Sequence, residues 1–236
     1  MQKKIKMVQL FGLPGSGKTT CANNLQSYLK KQNIRGIITR NDFSIWYKNI
    51  FWGKKVILLC KNIALLGNRY FHYINFLYRN KSIKYELIVK ILKQQYRDLF
   101  VNKFVKENSQ IYISDHSSIQ DLWSILIRTD NIRFITLEEI ISRCIKENNT
   151  IYIYFDISSE TAALNVFNRN GGLSPFDNMS YKKNLLKLHH YQKYFDMINS
   201  EIQSQRLPFY TLIHNETIEQ NILALKNIMK SEKLID

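Results

Sequence analysis

Glycine is scarce in this chain, 8 of 236 residues, and three of the eight fall within six positions, in Gly12-Leu13-Pro14-Gly15-Ser16-Gly17-Lys18-Thr19-Thr20. The apolar run Ile5 to Phe11 precedes this segment and an amphipathic pattern reaching about Lys31 follows it, so the local order is strand, loop, helix. The spacing Gly-x4-Gly-Lys-Thr between a strand and a helix is the P-loop pattern. Its glycines let the backbone wind closely around phosphate oxygens with the N–H groups turned inward, and the helix N-terminus adds a positive dipole end. Lys18 is placed to reach the β- and γ-phosphates and Thr19 to ligate Mg²⁺. Residues 12–20 are therefore expected to bind a nucleotide, with ATP and Mg²⁺ as the cofactors.

Four further apolar runs follow, Ile34 to Thr39, Gln110 to Ser114, Thr150 to Phe155 and Pro208 to Ile213. Helical patterns separate them, which gives an α/β chain with a parallel sheet and helices on both faces. Neither a repeat nor a linker interrupts it, so residues 1–236 read as one domain. Between strands two and three lies a helical, aromatic and basic insert, 43–108. Its clearest helix has Leu87, Ile88, Ile91, Leu92, Tyr96, Leu99, Phe100 and Phe104 at helical spacing, a face expected to pack on the sheet. The part from Phe43 to Tyr78 reads as core, as a lid over an acceptor pocket or as a docking surface.

Ligands of open parallel sheets bind beyond the carboxyl ends of the strands. Arg40, Asn41 and Asp42 stand there after the second strand; Asp115, His116, Ser117 and Ser118 stand there after the third. Asp115 is expected to help hold Mg²⁺, with a helix N-cap as its other reading. Asp42 is a candidate general base, because a hydroxyl acceptor must lose a proton whereas a phosphate acceptor need not; a cap or ion-pair role is the alternative. Arg40 and His116 complete the candidate acceptor site. Arg169 opens a lid-like loop, 169–178, that contains Gly171, Gly172 and Pro175. There its guanidinium would close over the transferring phosphate, unless it is a surface residue at a helix end. His72, His189, His190 and His214 are scattered, and the adjacent pair suits a solvated helix face.

Residues 1–110 hold 21 Lys/Arg against 4 Asp/Glu, and residues 111–236 hold 13 against 15. The whole excess of positive charge is thus in the first half, a field that suits nucleotides, nucleic acid or an anionic membrane surface alike. No arginine-rich tract or aromatic RNA-binding strand favours nucleic acid. No apolar stretch approaches the roughly 20 residues of a spanning helix, which leaves peripheral contact through the basic insert as the only membrane option. Cys21, Cys60 and Cys144 lack metal or dithiol spacing and read as reduced thiols of a cytoplasmic protein.

Beyond the P-loop, Ile37-Ile38-Thr39-Arg40-Asn41-Asp42, Tyr112-Ile113-Ser114-Asp115-His116-Ser117-Ser118, Phe155-Asp156 with Ser159, Glu160, Ala163 and Arg169, and Tyr210 to Ile213 with Glu216 to Glu219 resemble the thymidylate kinase-like branch of the P-loop kinases. The resemblance implies a P-loop NTPase fold with a five-stranded parallel sheet, and it implies γ-phosphoryl transfer with Lys18, Asp42, Asp115 and Arg169 in catalytic roles. Two departures from that pattern are His116, where the family has arginine, and a single lid arginine, with Lys182 and Lys183 further on. They move the expected acceptor from a nucleoside monophosphate toward a small molecule bearing a hydroxyl. A P-loop ATPase or nucleotide switch with an anionic partner is the reading from another class. No Asn-Lys-x-Asp motif supports a GTPase.

Overall fold

The computed structural model describes residues 7–32, 37–38, 40–51, 70–108, 111–129, 132–145, 150–169, 174–213 and 217–235. The elements run β1 (Met7–Gly12), α1 (Lys18–Lys31), β2 (Ile37–Ile38), α2 (Arg40–Asn49), α3 (described over 70–79), α4 (Tyr85–Asn108), β3 (Ile111–Ser114), α5 (Ser118–Leu126), α6 (Phe134–Cys144), β4 (Thr150–Asp156), α7 (Ser159–Asn168), α8 (Tyr181–Ser204), β5 (Phe209–Ile213) and α9 (Ile218–Ser231). The strands form one parallel sheet in the order β2-β3-β1-β4-β5. Its edge strand β2 is only Ile37 and Ile38, so four strands carry nearly all of the sheet.

Strand side chains alternate between faces, and here both faces are buried, which is why the strands read as unbroken apolar runs. Val8 and Leu10 of β1 with Ile151, Ile153 and Phe155 of β4 pack with Leu25 and Leu29 of α1 and Leu225 and Met229 of α9. Phe11, Tyr152 and Tyr154 point the other way, into the larger cluster with Leu122 and Trp123 of α5, Ala162 and Val166 of α7 and Phe195 of α8. Trp123 is the hub of that layer. Its ring stacks on Phe195 at 5.0 Å between centroids and 8° between planes, lies 6.2 Å from Phe176, and its Nε1 donates to the Tyr191 carbonyl at 3.2 Å. Truncating such a side chain to alanine costs about 3–5 kcal/mol.

The insert divides where the sheet ends. At roughly 1.5 Å per residue, 24-residue α4 is about 36 Å long, nearly three times the reach of four-residue β3. Phe100 and Val101 cover Tyr112 of β3, while Leu87 and Ile91 join Tyr73 and Leu77 of α3 and Leu122 of α5. The face expected to lie wholly on the sheet therefore does so only in part, and Leu92 is exposed; Phe104 falls outside the described side chains. α2 starts at Arg40, earlier than the expected insert boundary, and sets Phe43 and Trp46 against Phe100 and Tyr47 against Tyr96. The aromatic segment is thus core at Tyr70, Tyr73 and Phe76 and exposed at Phe51, Phe71 and Tyr78. Trp52, Cys60 and the run Val56 to Leu66 lie outside the described residues. No described helix is long and apolar enough to cross a membrane.

Candidate active site

The P-loop joins β1 to α1 as the spacing requires. Gly12 has φ 145°, and a Cβ there would stand 2.6 Å from the Phe155 carbonyl oxygen, so only glycine lets β1 lie this close to β4 as the loop leaves the sheet. Gly17 has φ 80° and open space where a Cβ would project. It is the N-cap of α1 and offers no side-chain cap, whereas Ser117, Ser158, Ser180 and Thr217 cap α5, α7, α8 and α9 with hydroxyls. The first N–H groups of α1 are thus left for an anion, in a hollow that a side chain at 17 would fill.

Two helices brace the loop from outside. Gln120 of α5 accepts from the Gly12 N–H through Oε1 at 3.3 Å, and Asn165 of α7 donates through Nδ2 to the Gly15 carbonyl at 3.0 Å. Inside it, the Lys18 ammonium donates to the Gly12 carbonyl (3.0 Å), the Leu13 carbonyl (2.7 Å) and Ser16 Oγ (2.8 Å). Lys18 is buried, and burial lowers its pKa to about 7; Asp115 opposes the shift and the Arg169 guanidinium adds to it.

The neighbouring of β1 and β3 brings the end of β3 beside the P-loop. Thr19 Oγ1 donates to Asp115 Oδ2 at 2.7 Å. A hydroxyl and a carboxylate held together in this way are hard oxygen ligands, the donor set that Mg²⁺ takes alongside phosphate oxygens and water. The N-cap reading of Asp115 fails, since Ser117 is the residue whose hydroxyl accepts from the Gln120 N–H and starts α5. Ser118 Oγ donates to Gln9 Oε1 at 2.9 Å and ties that first turn to β1.

Arg169 is not a loose surface residue. Its Nε donates to Asp177 Oδ1 at 2.7 Å and its Nη2 to the same oxygen, while Asp177 Oδ2 accepts from the Ser174 N–H at 2.8 Å. The two sides of the 169–178 loop are thus clasped; Gly171 and Gly172 lie outside the described residues. His116 makes a 2.9 Å contact through Nε2 with Asp121 Oδ1. Arg97 of α4 donates to the His116 carbonyl at 2.6 Å and pairs with Asp121 Oδ2. A guanidinium therefore does stand beside position 116, supplied by another element.

Arg97, Gln120, Asp121 and Asp177 were missed in the sequence. For Arg97 a signal exists, a cation at the buried phase of α4 between Gln94 and Val101; for the others none does. Asp42 lies exposed in the first turn of α2, four residues past the strand end where it was expected: β2 stops at Ile38 and the helix begins at Arg40. The Arg40 side chain lies outside the described residues. His189 and His190 are exposed on α8.

Residues 6–57, which carry the P-loop, match the family described as "Chromatin associated protein KTI12". No curated protein matches the chain. Among solved structures the chain is similar to deoxyadenosine kinase from M. mycoides, with products dCMP and a flexible dCDP bound, at 17% identity and TM-score 0.49 over 95% of this chain and 98% of that one. The same enzyme with bound dATP gives 17% and 0.49 over 95% and 99%. The chain thus carries a P-loop pattern between the first strand and first helix of a parallel α/β sheet, within the segment that matches that family.

Proposed function

We propose that the protein is an ATP-dependent phosphotransferase that moves the γ-phosphoryl group to a small-molecule acceptor, with a hydroxyl acceptor favoured over a nucleoside monophosphate. The observation that carries this reading is the meeting of Lys18 and the Thr19–Asp115 pair at one uncapped helix N-terminus, with the Arg169 guanidinium bearing electrostatically on Lys18. Gly12 to Thr20 would cradle the phosphates, and Thr19 and Asp115 would hold Mg²⁺. When bound, the metal supplies charge neutralisation on the phosphate oxygens. Lys18 and Arg169 act where negative charge gathers as the phosphoryl group leaves, and the Asp177 clasp orients Arg169 for that task.

Asp42 is the candidate base. Its place in the first turn of α2, beyond the carboxyl end of β2, is on the side of the sheet edge to which the P-loop opens. The deciding experiment is a screen of nucleosides, nucleoside monophosphates, sugars and amino alcohols for acceptor-dependent ADP release. On the acceptor so found, Asp42→Asn should lower kcat by about 10²–10⁴-fold for a hydroxyl and only a few-fold for a phosphate. For a phosphate acceptor, Arg40→Ala and Arg169→Ala would be the damaging changes. Acceptor-independent hydrolysis with no acceptor found would instead support a nucleotide-dependent binding protein with an anionic partner. The basic first half and the match of residues 6–57 to a family described as chromatin associated favour that second reading.

A further inference from the structure

Between the end of β3 at Ser114 and the start of α5 at Ser118 the chain turns through Asp115, His116 and Ser117. Both ends of that corner are fixed by their own elements. Ser114 pairs with Gln9 of β1, and Ser117 accepts from the Gln120 N–H through its hydroxyl and from the Asp121 N–H through its carbonyl, at 3.1 and 3.0 Å. The middle is held from outside, by α4. Arg97 donates through Nη1 to the His116 carbonyl at 2.6 Å and through Nη2 to Asp121 Oδ2, and Asp121 Oδ1 stands 2.9 Å from His116 Nε2. The backbone and the imidazole of residue 116 are thus closed into one circuit of contacts with a buried ion pair, Arg97 at 7% and Asp121 at 3% exposure. A guanidinium suits this task because its planar fork serves two acceptors at fixed angles, which a lysine ammonium does not. The neighbours of Arg97 on α4 serve the other end of the site: Tyr96 takes Tyr47 of α2, and Phe100 takes Phe43 and Trp46 of the same helix, which carries Asp42.

We propose that Arg97 is a positioning residue for Asp115. It fixes the peptide that follows Asp115, and with it the direction from which the carboxylate meets Thr19 Oγ1, 2.7 Å away. The proposal rests on the reading that Thr19 and Asp115 hold Mg²⁺. Groups that orient a metal ligand without touching the metal change metal affinity by about 10–100-fold when they are removed. Stability alone does not account for the pair, since apolar residues of similar size in place of a buried ion pair are often no worse for the fold. Its aim at one carbonyl, beside a carboxylate of the site, does. The segment between β2 and β3 thereby reaches both ends of the site: residues 96–100 of α4 carry the helix of the candidate base on one side and steady the metal-facing carboxylate on the other.

The test is the ATP affinity measured with excess Mg²⁺ and again with EDTA, because the ratio of the two reads the metal end of the site. Arg97→Lys keeps the charge and loses the fork. Arg97→Met combined with Asp121→Leu removes the pair together, so no buried charge is left alone and the fold should survive. Both should keep the wild-type affinity in EDTA, since the P-loop is untouched, and lose about tenfold or more of the Mg²⁺ effect. Asp98→Asn is the control on the same helix: it weakens the 2.6 Å contact from Tyr70 Oη and should lower the melting temperature without changing the ratio. A ratio kept in both Arg97 variants, or lost equally in Asp98→Asn, overturns the proposal. A wild-type ratio near one ends the metal reading of Thr19 and Asp115 itself, and the proposal falls with it. Once an acceptor is known, kcat should fall in both Arg97 variants at an unchanged acceptor KM. A raised KM with the Mg²⁺ ratio intact would make Arg97 a contact of the acceptor and overturn its positioning role.

Discussion

The spacing alone marks Lys18 as a candidate phosphate contact but does not mark its energetic position. Spacing says nothing of burial; the structure buries Lys18 and gives it three acceptors. Lys18→Ala should therefore abolish turnover and also lower the melting temperature, because two carbonyls and a hydroxyl lose a donor. Its titration gives a second test. Burial brings the folded pKa to about 7 from the ordinary lysine value of 10.5, so between those limits the unfolded chain binds more protons and stability rises with pH. The gain is complete above the unfolded value and is lost as pH falls through 7. One such lysine contributes up to about 1.4 kcal/mol per pH unit to the slope. Denaturant unfolding at pH 7.5 and 9.5 should show a smaller increase for Lys18→Met than for the wild type; equal increases would refute the burial assigned to this side chain.

The strands were readable as elements because sheet burial on both faces leaves unbroken apolar runs, and the starts of α5, α7 and α9 were marked by serine or threonine. Thr217 shows the local logic fully: its hydroxyl accepts from the Gln220 N–H while Gln220 Oε1 accepts from the Thr217 N–H. Thr217→Ala should cost about 1 kcal/mol in unfolding free energy and leave turnover unchanged, since α9 lies behind the sheet. The clasp across 169–178 was invisible in the sequence, because an ion pair between residues eight apart through a turn has no periodicity. Asp177→Asn should free Arg169 and lower kcat by at least tenfold with little effect on ATP affinity. An unchanged kcat would show that Arg169 needs no such support.

At the scale of the whole molecule, charge and topology act together. The strand order brings β3 beside β1 and so carries Asp115 to Thr19, a neighbourhood that a separation of 96 positions conceals in the sequence. The basic first half contributes the P-loop and α4, so the positive field and the proposed phosphate site fall in the same half of the chain, a charge distribution that favours anionic ligands. Raising ionic strength from about 0.05 to 0.3 M shortens the Debye length about 2.5-fold and weakens attraction between exposed charges, so KM for MgATP should rise several-fold while kcat holds. A KM indifferent to salt would mean that local contacts alone set the affinity.

Trp123 stands between these scales. It is one of three tryptophans, and its indole lies against Phe195 on one side and near Phe176 on the other. Phe176 belongs to the same turn as Ser174 and Asp177, so any displacement of the clasped loop changes the surroundings of the ring. Replacing Trp46 and Trp52 by phenylalanine leaves a single emitter whose wavelength and lifetime report on that turn. The protein thus carries its own optical gauge of loop position, readable in a stopped-flow mixing experiment without an attached dye.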